Sequence, residues 1–291
     1  MVISGRLVLA GLLAFSLAAC EPEPETKADP CIQNDPGKRA LRGSYVRQST
    51  DTPKLELLQI SGSVRRNGRL SKLFVQDYEF DARIDRDAGV DGAFKAARQS
   101  KALPVELFRD VADTVVVYDP SYRQQGGAQF DGLAVTGSPT PPSQIADSGN
   151  QKLSGPIMLR FINLTEGADQ SPVEFSGMAE LSIQYGTKFA SLTVTGLGPE
   201  APVQTISWNN ILLCGARVAS AGQGGFLLAD QNGAQVNFAG PTGSSPSGSA
   251  ILDSRFFGAS SVGLPTSVGG GILIQGDNGL ISGVFVVIPV D

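Results

Sequence analysis

Residues 248–291 read GSAILDSRFFGASSVGLPTSVGGGILIQGDNGLISGVFVVIPVD. The pattern predicts three β-strands, Ser249–Phe257, Val268–Gln275 and Leu280–Ile288. Asp277-Asn278-Gly279 separates the last two, and a short Asp/Asn-Gly loop between apolar runs is the strongest local hairpin signal, because these residues accept the positive φ of a tight turn. Gly269, Gly270 and Gly271 offer a strand no side chain to pack, and inside a strand such residues mark a barrel corner or a close backbone approach. A sheet that curls needs such points, and closing it into a barrel removes its edges.

The same stretch carries a resemblance. Phe256-Phe257-Gly258, a short Ala/Ser linker, Val268-Gly269-Gly270 and a final Gly283-Val284-Phe285 resemble the closing segment of the transferrin-binding protein B barrel. That family's pattern is an aromatic-Gly turn, a Gly-Gly pair opening a strand, and a last strand with Gly-x-Phe. The chain departs from it before the Gly-Gly, where the family carries an acidic residue and residues 260–267 read SSVGLPTS. The resemblance covers the C-terminal half. It implies a small β domain, the handle, ahead of the barrel. It also implies non-catalytic binding: exposed loops capture a host protein or a small nutrient and pass it to an outer-membrane transporter. Some relatives reach the cell surface through a dedicated outer-membrane translocator. Transferrin itself fits poorly, since members that bind it have two lobes and this chain has room for one. A haem ligand would have to be held by Tyr or Met.

At 291 residues the chain has room for one large or two modest domains. Lys plus Arg number 23 against 28 Asp plus Glu, a formal net charge of −5, and nucleic-acid binding wants the opposite balance. The chain has no histidine. That excludes Ser-His-Asp and Cys-His catalysis, His-ligated metals and His-ligated haem. With 35 glycines and scarce helical periodicity, the composition suits turn-rich β structure.

Residues 1–20, MVISGRLVLAGLLAFSLAAC, place Arg6 before the apolar run Leu7–Ala19, which ends in small residues. This is a secretory signal, and the run is too short for a spanning helix. Leu17-Ala18-Ala19-Cys20 resembles the bacterial lipobox, in which the Cys thiol takes the thioether lipid and cleavage before the Cys exposes it as the new N-terminus. The alternative is an ordinary signal with an incidental Cys. A thioether diacylglycerol plus an N-acyl chain such as palmitate gives the more than one acyl chain that stable anchoring requires. Glu21, where an Asp resembles the inner-membrane retention signal, points to the outer membrane, with the cell surface preferred over its periplasmic face. Residues 20–39 are Pro-rich and charged, and read as a disordered tether that holds the folded part off the membrane.

With Cys20 consumed by lipid, Cys31 and Cys214 remain, an even pair in an oxidising compartment. They form a disulfide pinning the tether to the barrel, or Cys214 is a buried thiol behind Ile211-Leu212-Leu213 and Cys31 is free. A bridge would close a very long loop, which the chain-entropy model values at several kcal/mol.

From residue 40 to 137 the strand signals are Leu55–Ile60, Leu73–Ile84 and Thr114–Tyr118, with a turn or two of helix at Gly92–Arg98 and Pro104–Asp110. Arg65, Arg66, Arg69 and Lys72 around Asn67-Gly68 form a basic hairpin tip, read as a solvated turn with a lipid headgroup or acidic partner as the alternative. This segment is handle-like by position. Residues 138–152 lie in a Pro/Ser/Gly-rich stretch and make the linker to a barrel over 153–291. There the alternation is clearest: positions 173 to 185 put Val, Phe, Gly, Ala, Leu, Ile and Tyr on one face and Glu, Ser, Met, Glu, Ser and Gln on the other. Further strands are Ile157–Leu164, Phe189–Val194, Thr205–Leu213, Gly225–Ala229 and Gln235–Phe238. The fold class is therefore all-β, with about eight antiparallel strands in an up-and-down barrel; a β-sandwich is the alternative.

Catalytic, metal and cofactor sites are not expected. Gly222-Gln223-Gly224-Gly225 lacks the following helix and the Lys-Ser/Thr of a phosphate loop. Asp85/Asp87 and Asp77/Glu79/Asp81 could be drawn as an acid–base pair or a calcium site, but the second trio sits at strand spacing on one face, without the tight Gly turn and closing Glu of a calcium loop, and a solvated strand face is preferred. Trp208-Asn209-Asn210 is the one place where an aromatic bunches with two amides. It suits a ligand-contacting loop, or an inward Trp that fills the barrel. The chain thus reads as a non-enzymatic envelope lipoprotein that binds an extracellular protein or small nutrient, iron- or haem-related nutrients included, through the barrel and its loops. The alternative is an accessory lipoprotein docked permanently on an outer-membrane complex.

Overall fold

The computed structural model describes residues 31, 41–49, 55–64, 70–75, 78–81, 102–104, 106–108, 111, 115–120, 122–123, 129–222, 226–236, 249–258, 263–276 and 278–290. The described residues form two antiparallel sheets. The first holds β1 (Leu41–Ser49), β2 (Leu55–Val64), β3 (Leu70–Val75), β4 (Tyr78–Asp81), β5 (Ala102–Pro104), β6 (Val115–Pro120), β7 (Tyr122–Arg123) and β8 (Gln129–Gly137). Its order is β4-β3-β2-β1-β8-β6-β5, with β7 paired to β8.

The second sheet holds β9 (Asn150–Asn163), β10 (Val173–Gln184), β11 (Phe189–Thr195), β12 (Thr205–Leu213), β13 (Arg217–Gly222), β14 (Phe226–Ala229), β15 (Ser249–Phe257), β16 (Ser267–Gln275) and β17 (Gly279–Pro289). β17 pairs with β9, and β11 with β12, so eight strands close a ring in which chain neighbours are sheet neighbours. This is an up-and-down barrel, and the sandwich alternative falls. β14 pairs with the first half of β12, whose last two residues pair with β13, and its Leu228 joins the barrel core.

The strand that sequence alternation draws as Leu73–Ile84 is a hairpin, β3 and β4 folding back with Val75 opposite Tyr78. The expected helical turn at Pro104–Asp110 is a single 3-10 turn, Glu106–Phe108. Of the expected strand Gln235–Phe238, the described part makes one bridge, Gln235 to Ala229. The signal peptide, the Gly92–Arg98 turn, the basic tip at Arg65, Arg66 and Arg69, Asp85/Asp87 and residues 223–225 lie outside the described residues.

Leu153, Ile157, Leu181, Ile183, Trp208, Leu252, Phe256, Ile272 and Phe285 point into one continuous barrel core. An eight-stranded barrel is just wide enough for side chains to fill. The outward residues of β15–β17 do not meet water. β1, β2 and β8 lie across them, and Val46, Val115, Val117, Leu133 and Val135 of the first sheet pack with Phe257, Val284 and Val286 of the barrel. Hence β16 and β17 are buried along nearly their whole length on both faces. The glycines make this contact possible: a Cβ on Gly271 would meet Leu57 Cδ1 at 2.6 Å and Val46 Cγ2 at 2.7 Å, and one on Gly269 would meet Val135 Cγ1 at 2.7 Å. They mark close approach rather than a corner.

A buried polar group crosses the same seam. Arg217 on β13 donates from Nε and Nη2 to Asp253 Oδ1 at 2.9 and 2.5 Å, and Ser44 of β1 donates to the Asp253 carbonyl oxygen at 3.1 Å. Both ionic side chains are almost fully enclosed, at 6% and 8% exposure. Breaking such a pair on one side leaves a charge without compensation, which costs about 3–5 kcal/mol, whereas replacing both sides by apolar groups is often neutral. Asp253→Leu is therefore expected to lower the unfolding free energy by about that amount in urea titrations, and Arg217→Met/Asp253→Leu to restore most of it. Equal loss in the single and double variants would show that the ion pair is not what the seam depends on.

Candidate functional site

The barrel has two ends of different character. One end, here the linker end, carries the turns after β10, β12 and β15, the last residues of β17, and the linker from β8. Pro139 bridges to Phe257, Thr140 donates its backbone N–H to the Phe256 carbonyl at 2.8 Å, and the Thr140 hydroxyl donates to the carbonyl of Gly258. Ala146 donates to the Gly263 carbonyl at 2.9 Å, and Ile145 and Ala146 pack onto the barrel core. Inside this end the buried Tyr185 hydroxyl donates to Gln151 Oε1 at 2.6 Å, and Gln151 Nε2 donates to the Pro265 carbonyl at 3.2 Å. The linker, read from sequence as a loop, is thus a plug tied to the β15–β16 connection.

Cys31 and Cys214 are joined by a disulfide at this end, with Cα atoms 5.3 Å apart. The bridge spans 183 residues, for which the chain-entropy model gives about 5 kcal/mol. Cys31 is exposed and Cys214 half-buried. Cys20, the expected lipid-attachment residue, lies outside the described residues.

Trp208, Asn209 and Asn210 do not share a surface. Trp208 is 1% exposed, inside the barrel, with its ring 5.7 Å from that of Phe226. Asn209 and Asn210 are exposed on the outer wall. They sit at a β-bulge: Ala190 pairs with Ile211 and Leu192 with Trp208, so β12 carries one residue more than β11 there. Asn210 takes the left-handed conformation that the bulge requires, at φ 56°. The sequence holds a signal for this. The inward residues Ile206 and Trp208 are even-numbered, while Ile211 and Leu213 are odd-numbered, so the alternation slips by one.

The far end carries the connections 164–172, 196–204 and 230–235. Glu166, Asp169 and Glu200 are exposed there, and none of these connections contains Lys or Arg. Such a rim repels a phosphate backbone. The Ser171 backbone N–H donates to Asp169 at 2.8 Å, and this bond, with the Ser171 side chain, holds the Asp169 carboxyl below its ordinary range. Asp230 accepts from the backbone N–H of Asn232 and Ala234, at 2.8 and 2.9 Å, and so shapes the turn over Gln231-Asn232-Gly233. Among the described residues, no group of three or more Cys, Asp or Glu side chains is placed to hold a metal.

No family model matches the chain, and no curated protein matches it. Among solved structures it is similar to transferrin binding protein B of Haemophilus parasuis Hp5, at 12% identity and a TM-score of 0.48, over 87% of this chain and 45% of that one. Transferrin binding protein B of serogroup B Neisseria meningitidis is similar at 16% identity and a TM-score of 0.45, over 86% and 44%. A chain described as a surface lipoprotein is similar at 11% identity and a TM-score of 0.45, over 87% of this chain and 100% of that one. The chain thus spans less than half the length of the two transferrin binding proteins.

Burial pushes the Tyr185 hydroxyl well above its ordinary value. An unfolded tyrosine ionises near pH 10, so the contribution of Tyr185 is complete below that pH and is lost as pH rises beyond it. The stability difference between the wild type and Tyr185→Phe should therefore shrink in denaturant titrations taken progressively above about pH 10; a constant difference would place the proton elsewhere. At the bulge, Asn210→Val should cost about 1–3 kcal/mol in thermal melts and Asn210→Gly little or nothing, because only the former opposes the positive φ.

Proposed function

We propose that this chain is a non-enzymatic lipoprotein of the outer membrane of a diderm bacterium, anchored through acylated Cys20, which captures an extracellular protein. In this reading residues 1–19 are the signal peptide, 20–39 the tether, 40–137 a handle-like domain, 138–152 the linker and 153–291 the binding barrel. An outer-membrane translocator would deliver it, and an outer-membrane transporter is the natural recipient of what it holds.

The observation that carries this choice is where the apolar surface goes. A permanently docked accessory protein needs an exposed apolar strip along a barrel wall. The apolar wall of this barrel, on β15–β17, is covered by the chain's own first sheet. The opposite wall, on β10–β12, presents Ser182, Ser191, Thr193, Thr195 and Ser207, with Met178 and Phe189 as isolated exposed apolar residues. Single exposed apolar residues are ordinary on a soluble surface. The small-nutrient alternative needs room, and the lumen is filled by Trp208, Tyr185, Phe256 and Phe285. Haem held by Tyr or Met also finds little support here: Tyr185 is buried and bonded to Gln151, and Met178 faces outward on the wall. Polar loops at the barrel ends and the hydroxyl-rich wall remain, and these suit a protein ligand.

Protease shaving of intact cells carrying a tag after Asp291 tests the reading. Loss of the tag without permeabilisation is expected. Protection until the outer membrane is opened would sink surface capture and bring the accessory reading forward. In parallel, Cys20→Ser should move the protein from the membrane to the soluble fraction and remove its label from cells fed radioactive palmitate.

A further inference from the structure

The Cys31–Cys214 bridge has a geometric consequence that reaches beyond stability. Cys214 sits in the turn between β12 and β13, at the linker end of the barrel. The first sheet also enters near that end. Arg42 pairs with Gly137, and the next residue along, Ser138, accepts a hydrogen bond from Gly258 N–H. The chain upstream of Leu41 is therefore fixed twice, at β1 and at Cys214, both toward the same end of the barrel.

Eleven residues separate Cys20 from Cys31, and twenty-one separate Cys20 from Leu41. Fully extended, these lengths reach at most about 40 Å and about 75 Å. β9, the longest strand, has 14 residues. At about 3.3 Å per residue and the usual barrel tilt, the barrel stands about 35 Å tall. With the bridge closed, bringing the far end to the bilayer would require the whole tether to run straight up the barrel wall, at the cost of nearly all its conformational freedom. With the bridge open, the leash nearly doubles and that restriction goes.

We propose that the Cys31–Cys214 disulfide is an orientation clamp. It holds the linker end toward the membrane and presents the connections 164–172, 196–204 and 230–235 to the outside, as the face open to a partner. This rests on acylation of Cys20 as proposed above, and deepens that reading by choosing between the two barrel ends. The linker end is already occupied by the chain's own plug, with Thr140, Ala146 and Gln151 bonded to the β15–β16 connection. The far end carries exposed polar and acidic loops.

The test uses the full acylated protein in phosphatidylethanolamine/phosphatidylglycerol vesicles that carry an acceptor dye in the membrane. A fluorescent unnatural amino acid replaces Thr187, exposed at the linker end, or Glu166, exposed at the far end. Energy transfer should be strong from position 187 and weak from position 166. Reductant added to the wild type, and Cys31→Ser without reductant, should both abolish most of that difference. Circular dichroism establishes that each sample is folded, and the reductant titration serves if the substitution does not fold. Equal transfer from both positions in the oxidised protein would overturn the clamp, as would a difference that survives reduction. Mass spectrometry of the N-terminal peptide separates the two proposals: an unmodified Cys20 overturns anchor and clamp together, whereas acylated Cys20 with equal transfer overturns the clamp alone.

Discussion

Three strands serve two cores at once. On β15 and β16 the even-numbered residues Leu252, Phe256, Val268 and Ile272 fill the lumen, while Phe257, Gly269 and Gly271 face the first sheet. On β17 the parity reverses: Ile281, Phe285 and Val287 point inward, and Val284 and Val286 outward. Apolar burial is roughly proportional to the area removed from water, so a strand covered on both sides contributes about twice what a half-exposed strand of equal length does. Neither sheet could be removed without exposing a continuous apolar face of the other. The barrel and the sheet laid over it therefore behave as one folding problem rather than two.

Apolar contact has no preferred register. The polar contacts across the seam do. Asp253 receives Arg217 from within the barrel and Ser44 from the first sheet, and Arg255 donates to Gln59 Oε1 of β2 at 3.3 Å. Each bond fails if the sheets slide by one residue, because a shift of about 3.3 Å carries the partner out of hydrogen-bond reach. Arg47 of β1 makes a further fixed contact, 4.1 Å over the Phe130 ring, with its Nε donating to Glu56 at 2.6 Å. Glycines let the sheets approach, and enclosed charges set where they stop.

The barrel was legible in the sequence wherever one face meets water. β10 shows strict alternation because its outer face is solvated, and Thr205–Leu213 matches β12 end to end. The terminal strands were legible for another reason, their apolar runs broken by Asn-Gly and glycine. β1 and β8 were not. Their residues, LRGSYVRQS and QFDGLAVTG, lie at the centre of the first sheet, against the barrel. Gly43 and Gly132 leave no room for a Cβ against the backbone of the paired strand, β8 and β1 respectively, and polar side chains such as Ser44 and Arg47 are buried with partners. A local pattern of hydrophobicity cannot register a strand whose environment is supplied by residues two hundred positions away. The same holds for β13, whose buried Arg217 reads as a surface residue until Asp253 is seen beside it. Of the candidate site, the two cysteines and the amides at 209 and 210 stood out in the sequence, but whether the cysteines pair was left open until the bridge was seen. The inward Trp208 was one of two readings that the closed ring decides, and the plug at the linker end was not foreseen.

The closed ring also limits how the molecule can bind anything. An eight-stranded barrel either fills its interior with side chains or keeps one small cavity. Here Trp208, Tyr185, Phe256 and Phe285 are all fully or almost fully enclosed, so the interior is given over to stability. One wall is taken by the first sheet and one end by the linker and the disulfide. On the barrel, the described residues leave the far end and the wall on β10–β12, both built from loops or half-exposed strands that can vary without disturbing a core. The covered wall, the plugged end and the filled lumen each close a place on the barrel to any ligand, and the described surface left open is the part whose side chains the barrel core uses least.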